Sequence, residues 1–438
     1  MSFQNDELNQ RRQNRAARAK KRQRAEKLAR IRLIIGGAVL VCCAVGIIAA
    51  AALRPKEPEA PQPVTEATVT EAPTEESTRS AWEKAPQTIH IAAAGDLNIT
   101  DKVIWSGQQG TVFDYTNTFM DVAPVLAGAD LAMLNFEGNL IGPPYGSETL
   151  SSPVEMVEAL KSAGVDLLQM ANSCSVYNGM LGLSATLDSM RAAGIEPVGA
   201  YASNDQFRRS GGYTICEVNG ISVAVVAFTK GVGGLGMPSG SEKCVNLLYD
   251  DYYDNYTDVA VTNITSILKN VAAEKPDITI AMLHWGSEYN DGISDTQKKI
   301  LELMKKNGVD VILGTHPHLV HGIEYDENTG FLCAYSLGDF FGDGKRGGTN
   351  YSIILDLEIT KDFDTGTTRV TDYKVTPIYI LSEEECDGKR RVVRLENAMT
   401  AYELNFVDKI TEAAYESMGT SLERIKSRIK GEAAATGK

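Results

Sequence analysis

From Thr88 onward, short apolar runs alternate with stretches in which apolar residues recur every three to four positions, the two periods that distinguish strands from amphipathic helices. The runs predict strands from Thr88 to Ala94, Leu131 to Phe136, Val165 to Met170, Ile221 to Thr229, Ile278 to Leu283, Val309 to Leu313, Phe331 to Ser336 and Tyr351 to Ile359. The helical period predicts helices from Pro153 to Ala163, Ser184 to Ala193, Tyr256 to Ala273 and Asp295 to Asn307. KSAG-VDLLQM, RAAG-IEPVGA and KKNG-VDVILG each place a glycine just past a helix and an apolar run directly after it. That is the grammar of a helix-to-strand joint, and its repetition predicts an α/β architecture with parallel strands.

The N-terminal pattern is different. Leu33 to Leu53 is uncharged and apolar, and as a helix its 21 residues would span roughly 30 Å, enough to cross a bilayer. Residues 1–32 hold eleven Lys and Arg against three acids. This places the N-terminus in the cytoplasm by the positive-inside rule and the bulk of the chain outside. A cleaved signal peptide is the alternative, since Ala49 to Ala52 offer small residues. The apolar stretch exceeds the about 7–15 residues of a signal h-region, however, and the basic arm is long. Residues 54–87 are rich in Pro, Glu, Thr and Ala with few large apolar side chains, the composition of a solvated stalk. The expected organisation is a basic cytoplasmic arm (1–32), a transmembrane helix (33–53), a stalk (54–87), an extracellular domain (88–395) and a helical C-terminal extension (396–438). In that extension Phe406, Ile410, Ala413 and Ala414 have apolar spacing. The basic arm is a topology signal, or it lies on anionic headgroups or a cytoplasmic partner.

Charge sharpens this picture. The 438 residues carry a net charge of −14, so the +8 of residues 1–32 leaves −22 for everything after Leu53. A polyanion would be repelled by that body, which excludes general nucleic-acid binding. Of seven cysteines, Cys42 and Cys43 fall in the apolar segment and the other five are scattered, a poor disulfide framework that contains no CxxC metal pair.

Candidate chemistry lies where strands end. Gly95-Asp96, Glu137, Asn172, His284, His316 with His318, and Asp339 each follow an apolar run. Strand C-termini in open α/β sheets face the ligand crevice, so these residues are expected to converge. Four of the five histidines lie between His284 and His321. A lone histidine after a strand is ordinarily a surface or hydrogen-bonded residue. Imidazoles at 284, 316 and 318 with carboxylates at 96 and 137 instead form a mixed N/O set suited to Zn, Mn or Fe, able to activate water and clamp a phosphoryl group. In HWGSEY, Trp285 is either an apolar wall of the site or ordinary core, and Glu288 is either an orienting group or general base near His284 or a solvated side chain. His321 and His90 are expected at the surface.

Gly95-Asp96, Asn135-Phe136-Glu137-Gly138, Asn172 with the Gly179 to Thr186 segment, His284 to Tyr289, Gly314 to His318 and Tyr335 to Phe340 occur in the order seen in CapA proteins. Over about residues 88–380 the chain resembles that bacterial capsule synthesis family, which is associated with poly-γ-glutamate capsules. The resemblance implies a calcineurin-like metallophosphoesterase-type β-sandwich flanked by helices, with a dinuclear transition-metal site (Mn, Zn or Fe). It implies Asp96, Asn172, His284, His316 and His318 as metal ligands, with Glu137 in the bridging position. Polymer synthase or export subunits become the expected partners.

Three positions depart from the family pattern. Asn172-Ser173-Cys174 stands where Asn-Asn-His is usual, Asp101 where an Arg commonly follows the first motif, and Gly338-Asp339-Phe340 where Gly-Asn-Phe is usual. Cys174 thus occupies the place of an imidazole that would contact phosphate or act as general acid. It is a candidate catalytic residue there; as a thiolate it could bind metal, and the simpler reading is a buried neutral thiol. Two functions remain open: a membrane-anchored metal-dependent hydrolase of cell-surface polymer biogenesis, and a catalytically degraded binding or scaffold subunit.

Overall fold

Residues 85–406 and 410–431 are described by a computed structural model. Strand β1 (Gln87–Asn98) continues past its expected end at Ala94. The reason is Gly95. β1 pairs in parallel with β13 (Asp339–Phe341), placing Asp96 opposite Asp339, and a Cβ on Gly95 would lie 1.8 Å from the Gly338 carbonyl oxygen. Only a glycine lets the two backbones come this close.

Two sheets pack face to face. The first runs β16 (Arg391–Arg394), β15 (Thr367–Leu381), β14 (Tyr351–Asp362), β1, β4 (Leu131–Glu137), β5 (Leu167–Gln169) and β6 (Glu196–Val198), with β13 beside β1. The second runs β11 (Ile323–Asp326), β12 (Phe331–Ala334), β10 (Val311–Thr315), β9 (Ile278–His284), β8 (Ile221–Thr229) and β7 (Thr214–Val218). β8, β9, β10 and β12 are parallel, as are β1, β4, β5 and β6, whereas β14, β15 and β16 form an antiparallel meander. A small hairpin joins β2 (Gln108–Gln109) to β3 (Val112–Phe113). The architecture is mixed-sheet α/β, a sandwich with helices outside.

The continuous apolar runs follow from burial on both faces. In β8, Val223, Val225 and Ala227 point into the core between the sheets, while Ala224, Val226 and Phe228 pack under the helices outside. Those helices are α3 (Val261–Glu274), through Ile264, Ile267 and Leu268, and α4 (Asp295–Lys306), through Ile300, Leu301 and Met304. Ser294 and Gln297 close a capping box at the start of α4. The crossovers α1 (Glu155–Ser162) and α2 (Gly179–Ala192) connect β4, β5 and β6. At the three joints Gly164, Gly194 and Gly308 adopt left-handed φ of +104°, +81° and +84°. Two residues later, Asp166 and Asp310 accept the backbone N–H of Ala132 and Thr279 on the neighbouring strand, at 3.1 and 2.8 Å. The joint therefore also sets strand register.

Several expectations need correcting. β15, whose outer half carries charged and Thr side chains, and the short β7, β11 and β16 are additional to the expected strands. His321, expected at the surface, is buried at 4% exposure, with its ring bonded to the Asn290 carbonyl at 2.9 Å. Trp285 is core: fully buried, it stacks on Tyr335 and donates to that residue's carbonyl. The C-terminal residues form α5 (Leu395–Glu403) and α6 (Glu412–Ile429). Ile410, Ala414, Met418 and Ile425 join the main core, so this part caps the domain. Phe406 and Ala413 do not take part; Phe406 is 80% exposed. The apolar segment 33–53 and its basic arm lie outside the described residues. Among the described residues no helix is long and apolar enough to cross a membrane.

Candidate metal centre

The ends of β1, β4, β9 and β10 and the start of β13 meet along one edge of the sandwich. Asp96, Glu137 and His284 belong to strands, and alternation along β4 puts Asn135 on the same face as Glu137. His316 and His318 leave β10 with left-handed φ of +90° and +60°, and Tyr289 has +56°. Such backbone is costly for non-glycine residues and clusters at functional sites. The turn also depends on Gly314, where a Cβ would lie 2.0 Å from the Tyr335 carbonyl oxygen.

Three sets of donor atoms result, each within 4.8 Å: Glu137, His284 and His316; Glu288, His316 and His318; and Asp96, His318 and Asp339. All of these residues are buried except Glu288. The expected ligands Asp96, Glu137, His284, His316 and His318 are thus brought together, with Glu288 at the open side. Asn172 lies next to them as a strut. Its Nδ2 donates to Asn135 Oδ1 at 3.0 Å and to the Phe136 carbonyl at 2.8 Å, and its Oδ1 accepts from the Cys174 backbone at 3.0 Å.

Hydrogen-bond accounting tests whether these residues fit a cation. Thr229 Oγ1 donates to the Gly231 carbonyl at 2.8 Å, so towards His284 Nδ1, 3.1 Å away, it can only accept. Nδ1 therefore carries the proton, and in a neutral ring Nε2 presents a lone pair to Glu137 Oε1 at 2.8 Å. Two acceptors face each other, an arrangement stable only with a proton or cation between them. His316 Nδ1 is buried with no hydrogen-bond partner among the described residues. An orphaned imidazole nitrogen in a carboxylate-lined site is what a metal ligand looks like without its metal. The donors fit a divalent transition ion.

Electrostatics follow from the crowding. At His318 burial opposes the charged ring, but Asp339, at 2.8 Å, together with Asp96 lifts its pKa far above the ordinary range. Burial pushes the Asp339 carboxyl up to about 7 against the pull of His318. Burial also raises Asp96, yet hydrogen bonds from His318 and Asn135 hold it below the usual carboxylate value. At His316 desolvation, then the neighbouring His284 and Lys230, keep the ring neutral. Cys174 lines the same cleft with Glu137, Glu288 and His318. Desolvation, followed by Glu137, Glu288 and Asp96, pushes its thiol well above the usual range, so the side chain is a neutral thiol. It belongs to none of the three donor sets.

Four site residues were not expected as such. Asp339 lies at a strand end and joins Asp96 and His318 in one donor set, a role its sequence position alone does not predict. Asn135 divides its amide protons between Asp96 Oδ1 at 2.6 Å and Glu137 Oε1 at 3.1 Å, fixing both carboxylates; its place two residues before Glu137 on one strand was the available signal. Asn98 donates to Asp339 at 2.8 Å. Nothing in the sequence pointed to Thr229.

Buried N/O donors at the strand ends of a two-sheet α/β sandwich define a candidate metal centre. A family model described as bacterial capsule synthesis protein PGA_cap matches residues 90–343, and the chain belongs to that family. It is 28% identical over 267 residues to the PGA biosynthesis protein CapA of Bacillus subtilis (strain 168), covering 60% of this chain and 64% of that protein. It is also 28% identical over 232 residues to the capsule biosynthesis protein CapA of Bacillus anthracis, covering 51% of this chain and 53% of that one. The matches therefore span less than two thirds of either relative. Among solved structures, the calcineurin-like phosphoesterase YfkN from Bacillus subtilis is similar with a TM-score of 0.40 and 16% identity, covering 78% of this chain and 100% of that chain. A putative 5'-nucleotidase from Staphylococcus aureus has a TM-score of 0.42 and 11% identity, covering 77% of this chain and 58% of that chain.

Proposed function

We propose that the protein is a membrane-anchored component of capsule or other cell-surface polymer biogenesis, with the outer domain a metal-dependent hydrolase of the metallophosphoesterase type. The observation that carries the reading is the fused set of Asp96, Glu137, His284, His316, His318 and Asp339, with His316 Nδ1 unpartnered among the described residues. Family membership supports the polymer, and the names of both relatives support capsule biosynthesis. The basic arm and apolar segment support the anchor, with the main domain extracellular and polymer synthase or export subunits as partners.

Mn, Zn or Fe, as two ions, would be held by Glu137, His284 and His316 on one side and by Asp96, His318 and Asp339 on the other. Bound there, the ions supply Lewis acidity towards a phosphoryl or acyl oxygen. The chain's own residues do the positioning: Asn135 fixes two carboxylates, Thr229 fixes the His284 tautomer, and Asn98 steadies Asp339. Glu288, exposed beside His316 and His318, is placed to take a proton from a nucleophile entering from solvent.

The test is hydrolysis by the full chain of a phosphodiester and a peptide amide. Activity that falls at least a hundredfold in both H316A and H318A supports the hydrolase; activity unchanged in both variants overturns it. Protease treatment of intact cells that releases the outer domain supports the topology, and protection of that domain opposes it. A second reading, a binding or scaffold subunit without catalysis, is favoured by Cys174, whose neutral thiol supplies neither the charge nor the proton transfer of an imidazole. Hydrolysis created only by restoring Asn and His at positions 173 and 174 would establish it.

A further inference from the structure

We propose that Arg346, presented by the glycine-rich loop 342–348, determines the specificity of this cleft by binding an anionic group carried next to the reacting bond. The inference rests on the proposed metal centre for the reaction and on independent geometry for the anion. The cleft is about 270 Å³ and is lined by Glu137, Glu288, His318 and Asp339 on the donor side and by Asp343, Lys345 and Arg346 on the loop. The Arg346 guanidinium lies over the Tyr289 ring, 4.1 Å from its centroid, and Tyr289 stacks in turn on His318 at 5.1 Å and 26°. One column thus leads from solvent to the donor cluster. Among the described residues the Arg346 side chain makes no hydrogen bond or ion pair, which leaves its N–H donors available to a carboxylate or phosphate.

Several arginines elsewhere are paired, among them Arg390 with Glu383, Arg394 with Asp121 and Arg428 with Asp291. Among the described residues, Arg346 has no ion pair. Its backbone is nevertheless held, because Thr349 Oγ1 donates to the Arg346 carbonyl at 2.9 Å and Arg390 Nη1 donates to the Gly342 carbonyl at 3.1 Å. The region after Leu53 carries −22, so anions are repelled in general and admitted where an unpaired cation stands. Apart from His318, the basic side chains on the lining of this cleft are Lys345 and Arg346. Arg346 contacts the ligand; Tyr289 is a positioning residue.

The experiment is calorimetric binding of inorganic phosphate, glutarate and neutral glutaramide to the full chain in detergent after chelator treatment, so that no metal contributes. The wild type should bind at least one anion and not glutaramide. R346A should weaken that anion about tenfold, with R346K intermediate. Y289F should bind as the wild type does, and Y289A should match R346A. Tighter phosphate assigns a phosphate-bearing substrate and tighter glutarate a carboxylate-bearing one. Equal anion binding by the wild type and R346A, or no anion binding by the wild type, overturns the inference. Arg346-dependent binding in a chain that never takes up metal would leave the inference standing and remove the metal reading; metal uptake with Arg346-independent binding would do the reverse.

Discussion

Single atoms decide the site. The missing Cβ of Gly95 brings Asp96 beside Asp339, with the Asp96 N–H bonded to the Gly338 carbonyl at 2.9 Å. G95A would force these backbones apart, and because the clash is with main chain the expected cost is at the upper end for overpacking, about 3 kcal/mol. Urea unfolding should show that loss together with weaker metal uptake; unchanged stability would mean that β1 and β13 are not this close. Asp310 offers a pH test away from the centre. Burial, opposed by the Thr279 N–H, pushes its carboxyl up to about 6. The folded state therefore binds this proton more tightly than the unfolded chain. That contribution to stability is complete below the ordinary value of 3.8 and is lost as pH rises through about 6. D310N keeps an acceptor for Thr279 without the charge, so it should be more stable than the wild type by about 1–3 kcal/mol at pH 8, with the gap closing towards pH 4. A gap equal at both pH values would contradict the assignment.

At the scale of elements, the sequence was most readable where burial is complete. β8, apolar on both faces, was read with the bounds it has, and the three glycine joints fall where expected. β15 was not legible because its outer half, Thr367 to Lys374, faces solvent on an antiparallel meander and carries no apolar run. The strand-end cluster of imidazoles and carboxylates was legible because parallel topology collects strand C-termini. Thr229 was not, since its role depends on which proton points where, and Asn135 was signalled only by its place two residues before Glu137. The C-terminal extension could not be placed from sequence, yet it braces the centre: from the end of α6, Arg428 donates to the Val320 carbonyl at 3.1 Å and pairs with Asp291. Those partners lie on the segments that follow His318 and Glu288. R428A should therefore weaken metal affinity about tenfold, within the range for groups that orient ligands, while helix content stays constant. Metal titration with circular dichroism checks this, and wild-type affinity in R428A would show that the helix only covers the core.

For the whole molecule, the resemblance in the sequence to the capsule synthesis family is matched by the family comparison over residues 90–343. Charge and fold then work together: an acidic body presents, at one edge of a two-sheet sandwich, a buried set of imidazoles and carboxylates whose lone pairs face one another. The burial of these carboxylates is understandable only if positive charge is bound among them, whether as protons or as metal. The most direct measurement is the metal content of the purified full chain, by elemental analysis, for the wild type and H316A. The account predicts stoichiometric Zn, Mn or Fe in the wild type and its loss in H316A with the fold retained. A wild-type chain that folds normally, contains no metal and refuses added Zn, Mn and Fe would contradict it.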